Sequence, residues 1–454
     1  MYSQLSRRDF LKATALVLGS AAVAACGATP TATPAPKPTS APAAVVPTAT
    51  PAPKGPVKLR IAWWGSDARH KKYNTILDLY QSKFPNVTIE REFSDWAPYW
   101  EKLATQVASG NAPDLITNHQ DLVAEYANRG ALLALDPLIE ARKIDLSDWP
   151  KGTIDSGKRG GKNWMVALGG TTASTIFNET WLKSLGVKMP FNTWNWNDYV
   201  EIVTAVQGKM ADKQYASTDQ GSWNTSFEVF VLQKGVPLYK GEKFNQVGYD
   251  KDTVAEFWGY WEKLRAAKAL PPASLSAEYI NATHADSMLV KKISPIHQMN
   301  ANQLQIFQGY IQDELSCVPI PRGVKAGSPS GDWIGTAWQS IYSKTKLVDE
   351  AAAWTNWFIN DIEPQKIFGA EHGLPGNKKI AAQIVPTLPK PVQKGIDLVS
   401  YLADGMMPAP DRPTQSADIQ KAYTRLYNEL AFGRMTLKQA VDSYFDEITR
   451  LLST

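Results

Sequence analysis

From Val57 to Asn128 the chain passes three times from a strand's hydrophobic period to a helix's. Val57–Trp64 (VKLRIAWW) is a short, nearly continuous apolar run, the pattern of a strand buried on both faces. Tyr73, Ile76, Leu77, Tyr80 and Phe84 then recur at the spacing of one helix face. Pro85-Asn86 interrupts, and Val87–Phe93 alternates as a strand. Trp96, Trp100, Leu103 and Val107 mark a second helix, closed by Gly110-Asn111. Ala112–Thr117 reads as a third strand and Leu122–Asn128 as a third helix. Short strands alternating with helices admit few solutions, because parallel neighbours need a crossover between them. The expected class is α/β, with a doubly wound layer on a largely parallel sheet.

A second α/β lobe is expected to begin near Gly169-Gly170. Thr175–Phe177 is strand-like, and Glu179–Leu185 and Trp196–Val206 are helical. Val254, Phe257, Trp258, Trp261 and Leu264 form an apolar stripe of the kind that enters a core. Ile293–Gln298 and Leu315–Ile320 read as strands, and Gly323–Gly331 (GVKAGSPSG) as a hinge. The last third is helical over Leu347–Asn360, Val392–Ala403, Asp418–Ala431 and Leu437–Leu452, the last behind the N-cap Thr436. There is no internal repeat.

The N-terminal segment speaks to location. Phe10–Ala25 is apolar or small apart from Lys12, Thr14 and Ser20, too short a run to span a bilayer, which takes roughly 20 residues. A charged segment in front and small residues behind make residues 1–25 a secretory signal. Arg7 and Arg8 before Phe10-Leu11-Lys12 resemble a twin-arginine export signal, and Val23–Gly27 resembles a lipoprotein box whose Cys26 is acylated. Nine prolines among threonines and alanines follow between Gly27 and Pro56, a composition that cannot bury enough surface to order itself. Residues 26–56 are therefore read as a lipidated tether, about 90 Å long if extended at ~3.1 Å per residue. The protein is expected outside the cytoplasmic membrane, held there through acylated Cys26.

Net charge is +4 over the whole chain, which gives no electrostatic footprint for nucleic acid. Besides Cys26 the one cysteine is Cys317, so no internal disulfide is expected once Cys26 is acylated. The five histidines form no HExxH or close pair, and there is no Walker A run or GxGxxG. Gly327–Gly331 (GSPSG) has proline where a nucleophile elbow needs serine. No cofactor and no metal are expected. All 16 tryptophans lie beyond residue 62. In a doubly wound sheet the binding crevice lies beyond the strands' carboxyl ends. Here those ends carry Trp64-Gly65-Ser66-Asp67, Ser94-Asp95-Trp96 and Asn118-His119-Gln120-Asp121, each mixing aromatic, amide and acidic groups.

LRIAWWGSDARHKKYNTILDLYQSKFPNVTIE followed by YWEKLATQVASGNAPDLI resembles, in order and spacing, the carbohydrate-binding family of ABC-importer extracellular solute-binding proteins that includes maltose-binding protein. Phe177–Leu182, Gly369–Pro375 and Phe432–Ala440 are similar to later segments of that family. The resemblance implies two α/β lobes joined by crossover hinge strands: residues 57–169 with 330–370, and residues 170–329 with 371–454. It implies a sugar or oligosaccharide held between the lobes, closure about the hinge, delivery to an ABC permease by a monomer, and no catalysis. Residue by residue it points to Trp64, Asp67, Arg69, Trp96, Asn118 and Asp121 in the first lobe. From the second lobe and the crossover it points to Ser174, Trp223, Asn300, Trp333 and Trp338.

Such residues suit a pyranose, whose C–H faces sit on aromatic rings and whose hydroxyls need amides and carboxylates. Two other readings stay open. Asp67, Asp95 and Asp121 beside aromatics would also suit a polyamine, and an exported glycoside hydrolase would need two carboxylates across a scissile bond.

Overall fold

The computed structural model describes residues 55–453, apart from 120–121, 191–193, 242, 281, 336 and 408. Cys26, nearly all of the expected tether and Asp121 thus lie outside the described residues. The strands, in chain order, are β1 (Val57–Trp64), β2 (Val87–Ser94), β3 (Leu115–Asn118), β4 (Lys158–Arg159), β5 (Lys162–Asn163) and β6 (Val166–Ala167). They continue with β7 (Ala173–Asn178), β8 (Tyr239–Lys240), β9 (Gln246–Val247), β10 (Ile296–Asn300), β11 (Leu315–Pro319) and β12 (Trp338–Ile341).

The first sheet has the order β2-β1-β3-β12-β6. β1 pairs in parallel with β2 along its whole length, from Val57–Val87 to Trp64–Ser94, and with β3 at Ile61 and Ala62. β12 runs antiparallel to β3 and β6. The Asp67–Lys83 helix turns Tyr73, Ile76, Leu77 and Tyr80 onto this sheet, the face the sequence spacing marks. The late helix Val348–Asn360 returns to the same core with Trp354, Trp357 and Phe358. Tyr80 meets the Trp354 ring edge-on at 4.9 Å. Each such large side chain, fully buried, contributes about 1.5–3 kcal/mol.

The second sheet differs in direction. β7 lies between β10 and β11 and runs antiparallel to both. All six of its residues are buried, because helices cover it. Trp196, Trp258, Trp261, Tyr423 and Tyr444 make the adjoining core, so the stripe on the Lys251–Ala266 helix is core, as its spacing indicates. Thr436 caps the Leu437–Leu452 helix in a reciprocal pair with Gln439.

Three passes of chain connect the sheets. Thr171 and Gly335 exchange backbone hydrogen bonds of 2.8 and 2.9 Å, and Leu374 N–H donates to the Gly170 carbonyl at 2.8 Å. The Gly323–Gly331 stretch loops beside Tyr401 and Gly405, while Trp333–Gly335 makes the crossing. Past the third pass, the Lys378–Ile384 helix still packs on the first lobe: Asn377 Nδ2 donates to Asn360 and Lys378 N–H to the Asp148 carbonyl. Contact with that lobe therefore continues beyond residue 370. The Lys390–Leu402 helix then places Leu398, Val399 and Leu402 against Ile176, Leu315 and Cys317 of the second sheet.

Candidate functional site

Strand alternation sends Trp63 and Trp64 to opposite faces of β1. Trp63 is fully buried, stacked on Tyr73 at 4.8 Å, with its indole N–H directed at His70 Nδ1, 3.1 Å away. Trp64 points the other way, into a cluster at the carboxyl ends of β1, β2 and β3. Its ring lies 5.0 Å from Trp96 at 87°, 5.1 Å from Trp100 and 6.2 Å from His119. Trp96 also meets Trp100 and His119 edge-on. These angles fix the rings, since edge-to-face pairs are favoured over sandwiches. Trp96 remains 46% exposed, which is unusual for so large an apolar group held by three others. The cluster is thus a fixed aromatic surface with one indole presented to solvent.

A polar rim surrounds it. Asp67 opens the Asp67–Lys83 helix and Asp95 precedes the Trp96–Ala108 helix, and both are exposed. Both carboxylates act on the His70 ring, although burial outweighs them and lowers its pKa. Arg69, two residues on, is buried. Its Nε donates to Glu371 Oε1 at 3.3 Å and its Nη1 to the Trp64 carbonyl at 3.3 Å. Glu371 also takes Lys72 Nζ at 2.8 Å, and its own carbonyl accepts from Asn302 Nδ2 of the second lobe at 3.2 Å.

A family model for bacterial extracellular solute-binding proteins matches residues 75–396. The chain belongs to that family. Solved structures agree in fold. A family 1 extracellular solute-binding protein from Alicyclobacillus acidocaldarius is 24% identical with a TM-score of 0.68, covering 88% of this chain and 100% of that one. A periplasmic oligogalacturonide-binding protein from Yersinia enterocolitica, in complex with saturated digalacturonic acid, is 17% identical with a TM-score of 0.76, covering 87% and 99%. An ABC substrate-binding protein from Listeria monocytogenes, in complex with cycloalternan, is 17% identical with a TM-score of 0.75, covering 88% and 99%. An uncharacterized lipoprotein in the oleD 5′ region of Streptomyces antibioticus is 26% identical over 159 residues, 34% of each chain. That alignment spans about a third of the lipoprotein's length.

In this solute-binding protein the described residues singled out from sequence fall into four groups. Trp64, Asp67 and Trp96 share the surface and rim just described. Asn118, Ser174, Trp333 and Trp338 are buried. Asn118 ends β3 opposite Trp338 of β12, and its Nδ2 donates to Ser340 Oγ at 3.2 Å. Ser174 Oγ donates to the Met299 carbonyl at 2.7 Å. Trp338 is fully buried within the first sheet. Trp333 packs in the second core with the Arg412 guanidinium 6.0 Å from its ring. These four are bound into sheets and cores. Trp223 and Asn300 belong to the second lobe, half-buried, at the start of the Asn224–Gln233 helix and the end of β10. Arg69 is engaged with Glu371. Trp100 and His119 complete the aromatic surface without having been singled out, although the i, i+4 spacing of Trp96 and Trp100 places both on one helix face.

Among the described residues no helix is long and apolar enough to cross a membrane, and no group of three or more His, Cys, Asp or Glu could hold a metal ion.

Proposed function

We propose that this protein captures a sugar or oligosaccharide between its lobes and delivers it unaltered to the transmembrane subunits of an ABC importer. The supporting observation is Trp96: an indole locked by Trp64, Trp100 and His119, yet half open to solvent, at the strand ends where such sheets bind ligands. A pyranose C–H face would lie on it, and the exposed carboxylates Asp67 and Asp95 would take hydroxyls. The Yersinia and Listeria proteins of the same fold hold digalacturonic acid and cycloalternan. Export, acylation of Cys26 and action as a monomer on the outer face of the membrane belong to the same reading.

The test is a thermal-shift and calorimetry screen of the purified chain against mono- and oligosaccharides. Ligand at 100 times its dissociation constant adds about 2.7 kcal/mol of stability. Trp96→Ala should remove the shift while leaving the fold intact, and chromatography should recover the sugar unchanged. A shift that survives this substitution removes Trp96 from the site; cleaved sugar makes the protein a hydrolase. The pairing of Asp67 and Asp95 around an exposed indole also favours a second reading, an organic polycation. Spermidine in the same screen decides between them.

A further inference from the structure

The Gly323–Gly331 stretch forms a loop beside the Trp333–Gly335 crossing, and Arg322 and Asp332 close its neck. Arg322 Nη1 donates to Asp332 Oδ2 at 2.5 Å and to the Ser330 carbonyl at 3.2 Å. Ser328 folds back over this neck: a Cβ on Gly323 would stand 2.8 Å from Ser328 Cβ and 2.9 Å from its Oγ. Between the loop and the end of the Lys390–Leu402 helix lies a cavity of about 540 Å³, with Arg322, Lys325, Ser328 and Asp332 in its wall. Its volume falls in the roughly 300–1,000 Å³ range of small-molecule sites.

Several donors around this cavity are uncommitted. Arg322 spends only Nη1 on its neighbours; its Nε and Nη2 donate to no described residue. Lys325 is exposed and pairs with no acid among the described residues, and Ser328 Oγ bonds to none of them either. Asp332 is the one acid in the wall against these two cations, so the cavity carries an excess of positive charge. A guanidinium edge, an ammonium and a hydroxyl around one space are the groups that hold an oxyanion.

Asp332 narrows the choice of anion. It is fully buried, and while Oδ2 takes Arg322, Oδ1 is buried with no hydrogen-bond partner among the described residues. A buried acceptor without a donor is costly. Such an oxygen repels an oxyanion that has no hydrogen and accepts from one that keeps an O–H. Inorganic phosphate keeps an O–H at neutral pH. Sulfate and phosphodiesters, membrane phospholipid headgroups included, have none, and phosphomonoesters lose theirs near a pH of about 6.

We propose that this loop is a second ligand site, for an oxyanion that also carries a hydroxyl, inorganic phosphate being the simplest. Its ionised oxygens lie on Arg322, Lys325 and Ser328, and its O–H donates to Asp332 Oδ1. The site shares no residue with the aromatic surface of the first lobe and stands or falls apart from the sugar reading. Titration calorimetry of the full chain with phosphate, sulfate and dimethyl phosphate tests it, at fixed ionic strength because surface charges are screened by salt. Phosphate should bind at least about 10-fold more tightly than either of the others, since only phosphate satisfies the buried acceptor. Lys325→Ala and Ser328→Ala should each weaken phosphate at least about 3-fold and leave the thermal midpoint of the unliganded protein within about 1 °C, as loop substitutions outside a core do. Asp332→Asn should remove the preference over sulfate. Absence of phosphate binding, equal affinity for phosphate and either comparison anion, a preference that survives Asp332→Asn, or phosphate affinity unchanged in both loop variants overturns the proposal.

Discussion

Arg69 and Glu371, 302 positions apart, form an ion pair of 3.3 Å with both side chains nearly excluded from solvent. Lys72 closes on the second carboxylate oxygen at 2.8 Å. Through the Glu371 backbone, which takes Asn302 Nδ2, one residue links the Asp67–Lys83 helix of the first lobe to the second. Arg69 is thus bound into the join behind the aromatic surface.

Removing one member of a buried pair strands the other charge, at a cost of about 3–5 kcal/mol. Glu371→Ala should therefore lower the free energy of unfolding by at least about 3 kcal/mol, whereas Arg69→Met with Glu371→Met should cost less than the single change. Urea unfolding of the three proteins measures this. A single variant as stable as the parent would show that the pair carries no structural load.

The two indoles of the aromatic surface should separate stability from binding. Trp64 is 8% exposed and packed by four rings, so Trp64→Ala should cost about 3–5 kcal/mol as well as sugar affinity. Trp96, nearly half exposed, should cost under about 1 kcal/mol of stability yet at least 10-fold in affinity. Equal stability losses would contradict the difference in packing.

His297 makes a pH prediction. Its burial, with a smaller contribution from His284, lowers its pKa from 6.5 to about 4. Between those values the unfolded chain binds a proton that the folded one refuses. The stability present above pH 6.5 therefore falls as pH drops toward 4, by about 3 kcal/mol for this group. His284 and His372, also lowered by burial, act in the same direction, while Asp332 and Asp411, raised by burial, act against them. His297→Asn retains a polar group beside Thr218 and removes the titration. The stability difference between parent and variant should change by up to about 3 kcal/mol between pH values of about 7.5 and 4.5. A pH-independent difference would mean that His297 does not titrate in this way.

The first lobe was legible in the sequence because its strands are long and its helices strongly periodic; β1 and β2 match the expected runs within a residue. β12 is not legible, since its four residues, Trp338–Ile341 between Ala337 and Tyr342, are too few to carry a readable period. The resemblance alone points to Trp338, and nothing in the sequence shows that its strand lies between two others. The pairing of Arg69 is illegible in the sequence for a different reason. Its partner Glu371 is brought beside it only by the third crossing, and sequence spacing says nothing about such pairs. That Trp64 and Trp96 stand at strand ends is legible, because each position follows directly from where a strand stops.

Gly373 shows how little room that third crossing has. Its φ is +96°, and a Cβ there would stand 2.1 Å from the Gly170 carbonyl oxygen. Gly169 faces the same restriction from the other side, with the His372 carbonyl oxygen 2.6 Å from its would-be Cβ. Both obstacles are backbone, held in place by the hydrogen bond from Leu374 N–H to Gly170, so neither can swing away as a side chain would. Gly433, at φ +69° with nothing within 4 Å of a Cβ, supplies the control for conformation alone. Gly433→Ala should cost about 1–2 kcal/mol, the ordinary penalty of a left-handed alanine. Gly373→Ala adds a backbone collision and should cost clearly more, with a lowered thermal midpoint. It should also weaken sugar binding, because the two passes must separate to accept the methyl group and the lobes they join would shift. Equal losses in the two alanine variants would show that the passes are loosely packed and that the crossing does not set how the lobes meet.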